Sequence, residues 1–265
     1  MAKPWTFEDL VRVMDRLRDP GGCPWDREQT YETLRSYLLE ECYEVVEALD
    51  RGDRDGLREE LGDLLFQIVF LSRLADEEGR FRAADVVRGI GEKIVRRHPH
   101  VFGDTTADTS EEVLRNWEEI KRKEKEDAGT AEASVLAGIP TALPALLKAQ
   151  RLGTKASRVG FDWRRPEDVL DKVDEEIAEL RAAVLEGDRE AAHEEIGDAL
   201  FSLAMLGRHV GVDPEAALEA TNAKFRDRFT AIESRLRERG VKIEEAGIDL
   251  LDRLWNELKA SRGSA

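Results

Sequence analysis

The sequence predicts an all-α protein made of two tandem helical bundles. Three observations carry that expectation. Apolar positions recur at i, i+3, i+4 and i+7 through long segments, and alternation of period two is nowhere sustained. Only 8 prolines and 20 glycines interrupt a chain of 265 residues in which 37% are charged, which leaves room for long amphipathic helices. Residues 36–74 align without a gap on 171–209, at a constant offset of 135, with 15 of 39 positions identical. Self-similarity of that length marks two copies of one supersecondary unit.

The periodicity places helices over 7–19, 28–51, 54–78, 83–98 and 110–126, then over 143–157, 167–186, 189–210, 214–239 and 250–261. Between the first two lies "GGCPW", matched by "VGFDW" in the second half; Trp25 and Trp163 follow glycine-containing turns and read as packing anchors. The helix after it carries an apolar stripe at Leu34, Leu38, Val45 and Leu49. Its short exit "DRGDRDG" makes the next helix an antiparallel partner. That partner contains "LLFQIVFL", and its counterpart in the second half contains "ALFSLAMLG". Both are apolar almost all round and need neighbours on several sides, which predicts a homodimer. The helix over 83–98 ends at "RRHPH", where His98 and His100 suit a helix C-terminus better than a metal site. After the helix over 110–126, a charged run passes into "AGTAEASVLAGIP", which is linker chemistry. The expected organisation is an N-terminal domain over 1–127, a linker over 128–140 and a C-terminal domain over 141–265.

Charge narrows the partners. With 41 Lys plus Arg against 57 Asp plus Glu, the formal charge is -16, and a summed potential of that sign repels polyanions. Neither a nucleic-acid polymer nor a membrane surface is expected, and a phosphate substrate has to be met locally by a metal or a few placed cations. No stretch reaches the roughly 18 apolar residues needed to cross a bilayer, and "MAKPWTFEDL" has no signal-peptide pattern. A cytoplasmic location follows as an expectation. Cys23 and Cys42 stand apart from any metal-binding spacing and read as reduced, inert thiols.

The chemistry lies in an acidic pattern that both copies share: E-E-x-x-E, fifteen residues, then E-x-x-D. In the first copy this is Glu40, Glu41, Glu44, Glu60 and Asp63; in the second it is Glu175, Glu176, Glu179, Glu195 and Asp198. Residues three apart share a helix face, so Glu41 with Glu44, and Glu60 with Asp63, form carboxylate pairs that antiparallel packing brings together. Glu41 lies one turn from both Leu38 and Val45 and interrupts the core stripe. Crowded there, like charges repel and lose hydration unless a cation is bound. Mg²⁺, with Mn²⁺ as a substitute, is the hard cation that suits carboxylates and phosphate oxygens. Gly62 and Gly197 each cost about 1 kcal/mol in mid-helix relative to Ala, and close helix packing is the expected reason.

This arrangement, with "GGCPWDREQT", "HPHVFGD" and "GFDW" beside it, resembles the MazG family of nucleoside triphosphate pyrophosphohydrolases in its two-repeat form, over essentially the whole chain. The resemblance implies MazG-type helical bundles that cleave an NTP or dNTP between the α and β phosphates, giving monophosphate and pyrophosphate. It also implies a requirement for Mg²⁺ and a homodimer whose helices from two chains complete each four-helix core and build each site. The metal ligands are then Glu41, Glu44, Glu60 and Asp63, and Glu176, Glu179, Glu195 and Asp198. Glu40, Glu59, Glu175 and Glu194 are candidates to accept the proton of the attacking water.

Cations and aromatics follow the acids in each half. In the second, Lys224 and Arg228, then Trp255 and Lys259, stand four apart, and Lys172 lies one turn before Glu176. An ammonium and a guanidinium suit a triphosphate, and an indole stacks on a base. The first half offers Lys93, Arg97, Trp117 and Lys121, but Tyr37 stands where Lys172 stands. The second site is therefore expected to be the better catalyst. His193 is a weaker candidate for phosphate contact. Two rivals remain: a dedicated dUTP, dCTP or phosphoribosyl-ATP pyrophosphohydrolase on the same scaffold, and a non-enzymatic acidic interaction module with a regulatory protein partner.

Overall fold

Glycine–aspartate pairs set the geometry that the site depends on. In the computed structural model, which describes residues 4–127, 129 and 134–262, the first unit spans 1–131 and the second 132–265. The first contains α1 (Phe7–Arg18), α2 (Pro24–Glu28), α3 (Tyr31–Arg51), α4 (Arg54–Glu77), α5 (Ala83–Arg97), α6 (Pro99–Phe102) and α7 (Ser110–Asp127). In the second lie α8 (Ala145–Ser157), α9 (Pro166–Glu186), α10 (Arg189–His209), α11 (Pro214–Glu238) and α12 (Gly247–Arg262), with a 3₁₀ turn at Ile243–Glu245. No described residue lies in a strand. Part of the expected linker, residues 128 and 130–133, lies outside the described residues; 134–138 form a bend and turns.

α3 stops because Gly52 takes the left-handed conformation, at φ 66°, and α4 starts because the Asp53 carboxylate accepts the Gly56 N–H at 3.0 Å. The second copy repeats the device: Gly187 has φ 73°, and Asp188 accepts from the N–H groups of Glu190 and Ala191, each at 3.0 Å. Glycine reaches that φ without steric cost and aspartate is a preferred N-cap. Two residues thus reverse the chain, and α3/α4 and α9/α10 become antiparallel pairs.

In the first unit α1 closes one face of the pair, giving a core of Met14, Leu34, Val69, Phe70 and Leu74. Arg18, at the end of α1, holds Glu77 through two bonds of 2.8 Å and donates to the carbonyls of Asp26 and Gln29, which fixes the "CPWD" segment against α4. In the second unit α8 takes the place of α1, and Val169, Ala204 and Met205 pack with Leu146, Ala149 and Trp163. α11 and α12 form a further cluster around Ile232, Leu236 and Leu254.

Several boundaries and positions differ from expectation. The helix expected from residue 28 starts at Tyr31, because Thr30 caps it and Pro24 starts a separate five-residue helix. Leu49 is 53% exposed, and Ala48 occupies the stripe in its place, since Leu34, Leu38, Glu41, Val45 and Ala48 keep the helical spacing. Trp25 is half exposed and meets the Tyr37 ring edge-on at 5.8 Å, whereas Trp163 packs into a core. A Cβ added at Gly62 or Gly197 would meet nothing within 4 Å, so close packing inside the chain does not explain these glycines.

Candidate metal and nucleotide site

Each antiparallel pair gathers three carboxylates. One oxygen each from Glu41, Glu44 and Glu60 lie within 4.8 Å of one another, and so do those of Glu176, Glu179 and Glu195. The i, i+3 spacing supplies two acids from the first helix of the pair, and the two-residue turn brings the third from the second. The expected quartets thus meet as triples. Asp63 and Asp198 are exposed and act through charge, Asp63 on Glu41 and Glu60, Asp198 on Glu195.

The crowding has electrostatic consequences. Burial, then Asp63 and Glu44, push the Glu41 carboxyl above its usual range, against a weak bond from Gln67 Nε2 at 3.5 Å. Burial followed by Glu44, Asp63 and Glu59 raises Glu60. Glu195 is raised by burial, then by Glu179 and Glu176, and its Oε2 is buried without a hydrogen-bond partner. Glu176 is 4% exposed. A buried carboxylate oxygen with no donor, set among like charges, is what a hard divalent cation satisfies. The residues therefore fit Mg²⁺ or Mn²⁺.

The two clusters differ in one partner. Lys172 Nζ lies 2.8 Å from Glu175 Oε1 and 2.8 Å from Glu176 Oε1, and both carboxylates hold the ammonium above the usual lysine range. Tyr37, at the equivalent place, brings only a phenol ring. Glu40, Glu59 and Glu194 are exposed, as is His193.

The remaining residues form two matched groups on the α5/α7 and α11/α12 hairpins. The Arg97 guanidinium lies 5.2 Å from the Trp117 ring centre, and Lys121 stands 5.3 Å from the same ring. Arg97 also binds Glu124 through Nε and a terminal nitrogen. In the second unit Arg228 lies 5.4 Å from Trp255, which Phe225 meets at 5.2 Å. Lys93, Lys224 and Lys259 complete the expected sets, and Lys93 and Lys224 are exposed. The structure thus assembles the acids with each other and the Arg–Trp pairs with each other, on separate hairpins of the same unit.

Comparison with known proteins decides the family. Residues 29–102 match the MazG nucleotide pyrophosphohydrolase domain, and 152–225 match the phosphoribosyl-ATP pyrophosphohydrolase family. A nucleoside triphosphate pyrophosphohydrolase/pyrophosphatase MazG of Thermotoga maritima is 45% identical over 96% of this chain and 95% of its own. A nucleoside triphosphate pyrophosphohydrolase of Escherichia coli is 46% identical over 96% of this chain and 97% of its own. Uncharacterized protein YabN of Bacillus subtilis is 46% identical over 96% of this chain, which covers 51% of that longer protein.

The chain belongs to the MazG family.

Within this MazG protein both matched regions contain a complete acidic triple and the α3/α4 or α9/α10 turn that builds it. Residues that sequence reasoning passed over now have places. Gln67, buried in α4, donates a long hydrogen bond to Glu41. Asp162 of "GFDW" accepts from Arg208 and sits 3.0 Å from His209 Nε2, tying the loop before α9 to the end of α10. His209 is thus a loop anchor as well as a helix-end residue. A mid-helix Gln opposite an acid was visible in the sequence; the Asp162 contact, 47 residues away, was not.

Proposed function

We propose that this MazG protein hydrolyses nucleoside triphosphates, ribo and deoxy, between the α and β phosphates, releasing a nucleoside monophosphate and pyrophosphate. The observation that carries the reading is the repeated triple, Glu41 with Glu44 and Glu60, and Glu176 with Glu179 and Glu195. Its relatives in Thermotoga maritima and Escherichia coli are named for that class of reaction.

Glu176, Glu179 and Glu195 would hold Mg²⁺ in the second unit, and Glu41, Glu44 and Glu60 in the first, with Asp198 and Asp63 as the fourth acid beside each triple. A Mg²⁺ ion bound there supplies charge neutralisation for the phosphate oxygens. The chain's own groups do the rest. Water adds to the α phosphorus, the bond from that phosphorus to the bridging oxygen breaks, and pyrophosphate leaves with the electron pair. The water's proton passes to a carboxylate, and Glu175 and Glu194, adjacent in sequence to the ligands, are the candidates. Lys172, Lys224, Arg228 and Lys259 carry positive charge for the triphosphate, and Trp255 offers a ring for a base. Stacking of that kind accepts every base, so broad specificity is the expectation.

A homodimer completes the site. Leu61, Leu65 and Ile68 on α4, and Ile196, Leu200 and Leu203 on α10, are 38–49% exposed, an apolar face that a monomer leaves in water. Gly62 and Gly197 lie within it, open to a second backbone. A second reading, phosphoribosyl-ATP as the substrate, is favoured by the family match over 152–225. The deciding experiment incubates the full chain and Mg²⁺ with the eight ordinary NTPs and dNTPs and with phosphoribosyl-ATP. Pyrophosphate from several NTPs supports the proposal, pyrophosphate from phosphoribosyl-ATP alone supports the second reading, and no pyrophosphate from any substrate sinks both.

A further inference from the structure

In both repeats three carboxylates meet within 4.8 Å of one another, yet their counter-charge differs. Lys172 reaches Glu175 and Glu176, each at 2.8 Å, from one turn earlier on α9. Glu176 is the most buried acid of its triple, so its charge is the one that water screens least. In the first unit no lysine or arginine forms an ion pair with Glu41, Glu44 or Glu60 among the described residues. Tyr37 occupies the matching position, 36% exposed and packed edge-on against Trp25.

We propose that Lys172 is an internal counter-ion that lowers the divalent-cation affinity of the second repeat below that of the first, so that the two sites load at different ion concentrations. The proposal rests on the reading of both triples as metal sites. An ion that draws on Glu176 meets a carboxylate already neutralised by an ammonium, and has to displace that ammonium or share the oxygens with it. Its gain is the difference between two attractions. At the first triple the gain is whole, because the ion relieves repulsion among acids that have no cation of their own. Lys172 is thus a positioning and tuning residue for the second site. Tyrosine at this position in one copy and lysine in the other gives the two repeats separate responses to the same ion.

The test uses Mn²⁺ binding, read from the electron paramagnetic resonance of the free ion, on full-length protein. Glu41→Gln with Glu44→Gln leaves the second site; Glu176→Gln with Glu179→Gln leaves the first. The first site should bind Mn²⁺ about tenfold more tightly, the scale of one partly screened ion pair. In the background that keeps the second site, Lys172→Met should recover most of that difference. Because Lys172→Met strips a buried carboxylate of its partner and threatens the fold, the reciprocal change is the second arm. Tyr37→Lys, at an exposed position, should weaken Mn²⁺ binding at the first site by a similar factor. Equal affinity at the two sites, or an unchanged affinity in folded Lys172→Met and Tyr37→Lys proteins, overturns the proposal while leaving the metal reading intact. Absence of Mn²⁺ binding to the unmodified protein overturns the metal reading and this inference together.

Discussion

Arg228 lies over Trp255 at 5.4 Å, and Arg97 lies over Trp117 at 5.2 Å, so both repeats pair a guanidinium with an indole on the hairpin that follows the acids. The pairs differ in what else the arginine holds, since Arg97 is committed to Glu124. Arg228→Met should cost about 0.5–1 kcal/mol of stability through the lost cation–π contact. It should also raise KM for a nucleoside triphosphate at least tenfold. A melting shift with unchanged KM would reduce the pair to packing.

The acid clusters should not contribute equally. Removing Glu176 and Glu179 together is expected to abolish most pyrophosphate release, while removing Glu41 and Glu44 costs less, because Lys172 stands beside the second cluster where the first has Tyr37. Steady-state pyrophosphate assays on the two double variants check this, and equal losses would contradict the ranking.

Glu41, Glu60 and Glu195 are all raised above the ordinary carboxyl value, burial being the first cause in each case. A raised carboxyl binds more protons in the folded protein than in the unfolded chain. Unfolding free energy from these groups therefore falls as pH rises from about 4.3 through their folded values. Without added divalent ion, the protein should gain stability on acidification to about pH 5 relative to the Glu41→Gln, Glu60→Gln, Glu195→Gln variant, as carboxylate repulsion is titrated away. Mn²⁺ should raise the melting temperature more at about pH 7.5 than at about pH 5, where protons compete. Scanning calorimetry at the two pH values decides the matter.

The Arg18 side chain is 7% exposed and holds Glu77 through two bonds of 2.8 Å. Glu77→Ala leaves that guanidinium with its two carbonyl contacts and should cost about 1–3 kcal/mol, below the fully buried case because Glu77 is partly solvated. Arg18, then Arg73, holds the Glu77 carboxyl below its usual range. Its contribution is present above the unfolded value and is lost as pH falls through the folded one. Urea unfolding of wild type and variant should converge in acid.

Gly207 is buried in α10, and a Cβ there would stand 2.9 Å from the Val212 carbonyl oxygen. Backbone cannot yield as a side chain can. Gly207→Val should therefore destabilise the second unit by about 1–3 kcal/mol, whereas Gly197→Ala, with nothing within 4 Å, should leave monomer stability unharmed. A loss of dimer in Gly197→Ala, seen by light scattering, would place that glycine in the interface.

The sequence by itself determined the helical class, the duplication and the identity of the clustered acids. These follow from local periodicity, from a Gly–Asp turn that permits one chain reversal, and from i, i+3 spacing, none of which needs distant contacts. Short helices such as Pro24–Glu28 fall below the length at which periodicity is visible. Only the tertiary structure decided that Ala48 rather than Leu49 faces inward, that three acids of each four share one focus, and that Lys172 is spent on Glu175 and Glu176. Those outcomes depend on which side of a helix a neighbour covers, and packing between elements, unlike periodicity along one, leaves no fixed spacing in the chain.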